Sequence, residues 1–341
     1  MMITRRTFAA GVAASAVLAP FVPRAGAAEP LRLRCSLDSP LNHARTKAIT
    51  DFLQTLETRS DGRIKGEVFH SGQLYNDADV VKALVQGQVE MAAPGTWILT
   101  TVIPDADFLN LPTLYGRDID VIHRAIDGKS GQNLNAQIAK RIKSEVIGGW
   151  LDLGFFNWYT AKRPLTSLES LNGAKIRNSG GVGQAWRAKF VGAIPNTTAL
   201  PNVPLALSQG TFDGISTTNE TVASMKLWDA GIRFALEDHQ FLGVYVPVLS
   251  NAFAEKLSDA DRQLFKTVWA EKIGQYRADM AAAQTTAHQT LIKNGVSIVT
   301  PTAAESDAAR AKMVEHEDEV ATALKISPDF LKLVMADIHG K

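Results

Sequence analysis

Residues 171–218, LNGAKIRNSGGVGQAWRAKFVGAIPNTTALPNVPLALSQGTFDGISTT, constrain the fold of this chain more than any other stretch. Residues 174–177 alternate as a short strand ending in Arg177. A glycine-rich loop follows (Gly180, Gly181, Gly183), then a helix over about 184–191, a strand-like run over 193–198 and a helix around 203–209. Asp213-Gly214 then opens another short strand. This β-loop-α-β-loop-α-β rhythm predicts a parallel sheet with covering helices, and ligands of such sheets bind at the carboxyl ends of the strands. Arg177 stands at such an end. Its rigid guanidinium fork matches a carboxylate, the glycines let backbone approach a ligand, and the helix start offers unpaired N–H groups. Spacing alone leaves two readings: an anion held at a strand end, or an arginine along a sheet edge paired with a surface carboxylate.

The preceding part repeats the pattern. Residues 31–37 alternate as a strand, and 43–59 form a helix with Ile49, Phe52, Leu53 and Leu56 on one face. Asp61-Gly62 is a turn, 64–69 a strand, 77–86 a helix closed by Gly87, and 89–92 a third strand. Trp97 and Tyr75 lie beyond strand ends, where each faces a cleft or fills the core. The proline-punctuated segment 104–115 leads to helices around 119–126 and 132–144. Residues 146–159, VIGGWLDLGFFNWY, predict a strand crossing from one domain to the next, with only one of Phe155 and Phe156 facing a cleft. A long apolar strand over 241–251 carries Pro247, which marks an edge or a break. Ser258 caps a helix running to about 293, long enough to span more than one layer or both domains. A strand at 296–299 and helices at 302–324 and 328–339 complete the chain.

Several of these segments resemble the solute-binding, DctP-type subunits of tripartite ATP-independent periplasmic (TRAP) transporters. The matching motifs are L-N-G-A-K-I-R ending at Arg177, G-A-x-P from Gly192, A-L-x-Q-G and then D-G. Gly72-Gln73-Leu74, Gly87-Gln88-Val89-Glu90-Met91 and the helix at 221–228 match as well. The resemblance implies that Arg177 grips a substrate carboxylate. It also implies that the segments around 146–159 and 241–251 cross between domains, with the long helix lying across both. A second family arginine falls at Phe156, or at Asn157 with a one-residue shift. A usual asparagine falls at Thr217, and a usual glutamate at Asn202. These departures make the site less polar than one for sialic acid or a C4-dicarboxylate, because a second carboxylate would lack a strong partner. The expected ligand is a small monocarboxylate with an apolar or aromatic body, such as a 2-oxo or hydroxy acid. The expected contacts are Arg177, Phe156, Thr217, Trp97, Asn219 and Tyr75.

At the amino terminus, Thr4-Arg5-Arg6-Thr7-Phe8, an apolar run and Ala25-Gly26-Ala27 read as a twin-arginine signal peptide cleaved after residue 27. The run is too short and too interrupted for a comfortable span. The net charge of +1 argues against nucleic acid or an anionic membrane surface as main partner. The single cysteine, Cys35, lies on an alternating strand and reads as a buried thiol. The seven histidines are scattered without metal-ligand spacing, so neither metal nor cofactor is expected. No nucleophile elbow or phosphate loop is present. Residues 315–319, EHEDE, read as a solvated helical face.

The expected architecture is α/β: two parallel-sheet domains joined by crossing strands, periplasmic-binding-protein-like, with a long helix across both. Residues 28–153 plus about 243–282 form the first domain, and 154–242 plus about 283–341 the second. The expected function is that of a periplasmic, monomeric solute receptor, not an enzyme, that closes on a carboxylate and delivers it to small and large integral membrane subunits. The alternatives are an exported enzyme acting on a small acid, which would need a nucleophile or base near Arg177, and a ligand-sensing receptor.

Overall fold

The computed structural model describes residues 29–340. The expected signal peptide lies outside the described residues. Along the chain the strands are β1 (Leu31–Ser36), β2 (Ile64–Phe69), β3 (Met91–Ala92), β4 (Ser144–Val146), β5 (Leu151–Phe155), β6 (Asn157–Thr160) and β7 (Lys175–Asn178). They continue as β8 (Ile194–Thr197), β9 (Gly214–Thr217), β10 (Phe234–Leu236), β11 (Leu242–Tyr245), β12 (Val248–Ser250) and β13 (Ser297–Val299). A five-stranded sheet in the order β2-β1-β3-β12-β4 organises a first lobe. A six-stranded sheet, β13-β10-β6-β9-β7-β8, organises a second. Alternation builds both. Leu33 and Cys35 of β1 are buried while Arg32 and Arg34 are exposed, and on β6 Trp158 and Tyr159 enter separate cores on the two faces of the sheet.

The sheets are mixed rather than purely parallel. In the first, only β12 runs antiparallel to its neighbours, and in the second, only β6. The cause is the crossing. β5 and β11 pair antiparallel as a ribbon between the lobes, and each runs almost directly into the next strand, β5 into β6 and β11 into β12. β6 and β12 thus enter their sheets from the ribbon and not from a crossover helix, the connection that parallel consecutive strands require. The expected strand at 146–159 is therefore three elements in three sheets, and that at 241–251 is two, broken at Val246-Pro247.

The helix Asp259–Lys293 is 35 residues long, roughly 52 Å at 1.5 Å per residue. Ser258 caps its start, accepting the Asp261 N–H. Phe265, Val268, Trp269 and Tyr276 belong to the first lobe's core and Leu291 to a core of the second. Between them, Gln284 Nε2 donates to the Leu153 carbonyl of the ribbon at 2.6 Å.

The last helices correct the sequence reading, which gave 283–341 to the second domain. Val320, Phe330, Val334 and Ile338 join the first lobe's core, and Ser130 N donates to Asp337 Oδ2 at 2.7 Å. The apolar face of the helix Pro328–Ile338 is covered by the helices Ile119–Asp127 and Lys129–Arg141. The helix expected over 302–324 is two, Ala303–Val314 and Glu317–Ala323. Nor is EHEDE wholly solvated, because Glu317 Oε2 accepts the Thr113 N–H at 2.8 Å. No described helix is long and apolar enough to cross a membrane.

Candidate functional site

A cavity of about 310 Å³ lies between the lobes and the ribbon. Arg177, Ser179, Gly180, Gly181 and Thr217 reach it from the second lobe, and Asp38, Asp77, Trp97 and Ile98 from the first. Leu153, Phe156 and Tyr245 reach it from the ribbon and its end. A larger cavity of about 630 Å³ lies elsewhere, beside the helix Ala303–Val314. Its charged lining groups, Glu169, Glu305 and Lys312, are exposed, whereas the smaller cavity gathers buried charge. Buried charge needs a partner, which makes the smaller cavity the candidate.

Arg177 is 2% exposed. Its Nε donates to the Thr198 carbonyl at 2.8 Å and its Nη1 to Ser179 Oγ at 3.0 Å. Those two bonds aim the fork, and among the described residues no carboxylate hydrogen-bonds to it. Burial lowers its pKa to about 10, offset in part by the charges of Asp38 and Asp77. It stays cationic at neutral pH. The apolar wall is aromatic: Phe156 stacks on Phe241 at 4.4 Å between centroids and meets Trp97 edge-on at 5.5 Å. Phe155 points to the other side and stacks on His239, as strand alternation requires.

The structure thus brings Arg177, Phe156, Thr217 and Trp97 to one cavity. The other two expected residues lie outside its lining. Tyr75 packs beside the first core with its hydroxyl on Gln88 Oε1 at 3.1 Å. The Asn219 amide is consumed within the second lobe, accepting from the Tyr159 hydroxyl at 2.6 Å and donating to Glu237 Oε1 at 2.7 Å. The helix Val182–Phe190 also departs from expectation. Its Gly183 N–H is held by Asp107 Oδ2 of the first lobe at 2.8 Å, so a protein carboxylate caps the start expected to face an anion. Glycine is needed at 183 because a Cβ there would lie 2.3 Å from Asn110 Cβ.

Residues 37–323 match the family described as bacterial extracellular solute-binding protein, family 7 (DctP). This chain belongs to that family. It is a TRAP-type solute-binding protein, and its mixed α/β architecture is the periplasmic-binding-protein-like one that the motif resemblance implied. Among its relatives, the sialic acid-binding periplasmic protein SiaP of Vibrio cholerae is 25% identical over 248 residues, 72% of this chain and 76% of the relative. The C4-dicarboxylate-binding periplasmic protein DctP of Rhodobacter capsulatus is 28% identical over 259 residues, 75% of each. The sugar acid binding protein DctPAm of Advenella mimigardefordensis, solved with galactonate, superposes with a TM-score of 0.85 at 18% identity, covering 92% of this chain and 99% of that one.

Within this family-7 protein, the sequence reading missed Asp38, Asp77, Arg45 and Tyr245. Arg45 Nη1 donates to Asp38 Oδ1 at 2.6 Å, and its guanidinium lies 3.6 Å from the centre of the Tyr245 ring. Asp38 follows the end of β1, so the rule that singled out Arg177 would also have found it. Asp77 was visible only as an acidic first residue of a helix. Among the described residues no group of three or more His, Cys, Asp or Glu side chains is placed to hold a metal ion.

Proposed function

We propose that this chain is the extracytoplasmic receptor of a TRAP transporter and binds a small organic acid, a monocarboxylate with an apolar or aromatic body such as a 2-oxo or hydroxy acid. The observation that carries this reading is Arg177: a buried guanidinium at the end of β7, opening on an inter-lobe cavity and lacking a carboxylate partner among the described residues. The carboxylate lies on the guanidinium fork, and Trp97, Phe156 and Leu153 pack the body. A cavity of about 310 Å³ is at the small end of ligand sites. The relatives' named ligands, sialic acid, C4-dicarboxylates and galactonate, all carry a carboxylate. A second carboxylate would meet Asp38 and Asp77 instead of an arginine, which favours one carboxylate over two.

The mechanism is closure of the lobes about the ribbon and the long helix, the ligand selecting the closed form. The moving bodies are residues 29–153 with about 243–282 and the helices from Ala303 onward, against 154–242 with about 283–301. Export follows the twin-arginine route to the periplasm, where the monomeric receptor delivers its solute to the small and large membrane subunits. The test is thermal unfolding of the mature protein against mono- and dicarboxylates, sugar acids and amines. Ligand at a hundred times its dissociation constant adds about 2.7 kcal/mol of stability. A shift with monocarboxylates that is lost in Arg177→Ala supports the reading. A shift with diacids alone rejects the single-carboxylate ligand, and one with amines alone rejects the anchoring role of Arg177.

A further inference from the structure

The cavity that holds Arg177 has a second charged wall. Asp38 and Asp77, the latter the first residue of the helix Asp77–Val85, both line it and both are buried. Arg45 serves them unequally. Its Nη1 donates to Asp38 Oδ1 at 2.6 Å and its Nη2 to the Ala93 carbonyl at 2.5 Å, but its approach to Asp77 Oδ1 is 3.6 Å. Arg45 is committed to Asp38, and Asp77 has from it only the long contact, with the Asp38 carboxyl as its other close neighbour. The charged and titratable groups around Asp77 are Asp38, Arg45, Arg177 and Tyr245. Burial raises the Tyr245 hydroxyl well above its usual range, so it stays neutral.

Two carboxylates and two guanidiniums sum to zero. With both carboxylates ionised, a ligand bearing one carboxylate and nothing else would leave one uncompensated negative charge in a buried site or draw a proton onto Asp77, and either costs binding free energy. A ligand bearing a carboxylate and a cation preserves neutrality and supplies the partner Asp77 lacks. We infer that the solute is zwitterionic, its carboxylate on Arg177, a cationic N–H group against Asp77 and Asp38, and its apolar body along Trp97 and Phe156. Burial, with the Asp38 charge beside it, raises the Asp77 carboxyl above its ordinary range.

This inference rests on the carboxylate anchor at Arg177 and keeps the apolar body, but puts a cationic group where that reading puts an oxo or hydroxyl group, and the test separates the two. Calorimetric titration of the mature protein, about one pH unit above the Asp77 titration, compares leucine with 2-hydroxy-4-methylpentanoate, 4-aminobutanoate with 4-hydroxybutanoate, and 5-aminopentanoate with 5-hydroxypentanoate. The expected result is that at least one amino member binds about tenfold or more tightly than its hydroxy partner, a difference of about 1.4 kcal/mol. Asp77→Asn should erase that preference, and Arg177→Gln should weaken both members. A hydroxy member that binds as tightly in every pair, or an absence of binding by every amino member, overturns the zwitterion. A preference that survives in Asp77→Asn overturns the role of that wall. Undiminished binding of both members by Arg177→Gln overturns the anchor itself.

Discussion

Asp107 Oδ2 accepts the Gly183 N–H at 2.8 Å, so a carboxylate of the first lobe caps a helix of the second. Its other oxygen accepts from Asn110 Nδ2 at 2.8 Å, and the residue is 1% exposed. Asp107→Ala leaves a buried N–H without its partner, which costs about 1–3 kcal/mol. Denaturant unfolding should show that loss without a change in secondary structure. A loss below about half a kcal/mol, the low end for a hydrogen bond, would show that the cap contributes little.

Arg177→Ala should remove ligand binding while the protein stays folded. Truncating one member of a buried charge pair costs about 2–5 kcal/mol, about thirtyfold or more in affinity. In the unliganded protein the same change relieves a desolvated charge, and forfeits the bonds to Thr198 and Ser179 and the attraction of Asp38 and Asp77. Calorimetric titration and circular dichroism measure the two effects; unchanged affinity would exclude the anchor.

Phe156 is 1% exposed and bridges the crossing ribbon to the cavity through Phe241 and Trp97. Phe156→Ala should destabilise by about 3–5 kcal/mol, as expected for a buried aromatic, and also weaken ligands with apolar bodies. Urea unfolding reads the first effect, and a loss under about 1 kcal/mol would contradict the packing described.

Asp238 is buried and accepts from the Tyr115 hydroxyl at 2.8 Å and from Trp158 Nε1 at 2.9 Å. Burial pushes its carboxyl from 3.8 up to about 7. A raised pKa means that the folded state favours the protonated form. The stabilisation is therefore full below about pH 4 and is lost as the pH rises through about 7. Asp238→Asn keeps an acceptor for both donors and cannot ionise. Its melting temperature should gain on the wild type from pH about 4 to about 7 and then level off. A difference independent of pH would place the Asp238 titration in the ordinary range.

Cys35 is fully buried and its thiol is pushed up to about 12 by desolvation. The thiolate is the reactive form, so thiol reagents should label the protein only after denaturation. Rapid labelling of the native protein would contradict this burial.

Local patterning carried much of the fold. The alternation of Leu33 and Cys35 with Arg32 and Arg34, the Ser258 cap and the glycine ending at Gly87 each act over a few residues and are readable there. Strand direction was not readable in the same way. Whether β6 and β12 run with or against their neighbours depends on how β5 and β11 pair across some ninety residues, and no local preference encodes that. The final helices show the same limit: the apolar stripe of Phe330, Val334 and Ile338 demands a cover, but its spacing does not say which lobe supplies it.

By itself the sequence determined the period and order of the elements, the family motifs and the arginine at the end of β7, because those are set by residues near one another in the chain. Only the tertiary structure decided what surrounds that arginine. It set Asp38 and Asp77 about one cavity, turned Tyr75 and Asn219 to other partners, and put the Asp107 carboxylate where an anion was expected. Charge balance in a buried site depends on distance and dielectric between groups far apart in sequence, and those quantities exist only once the chain has folded.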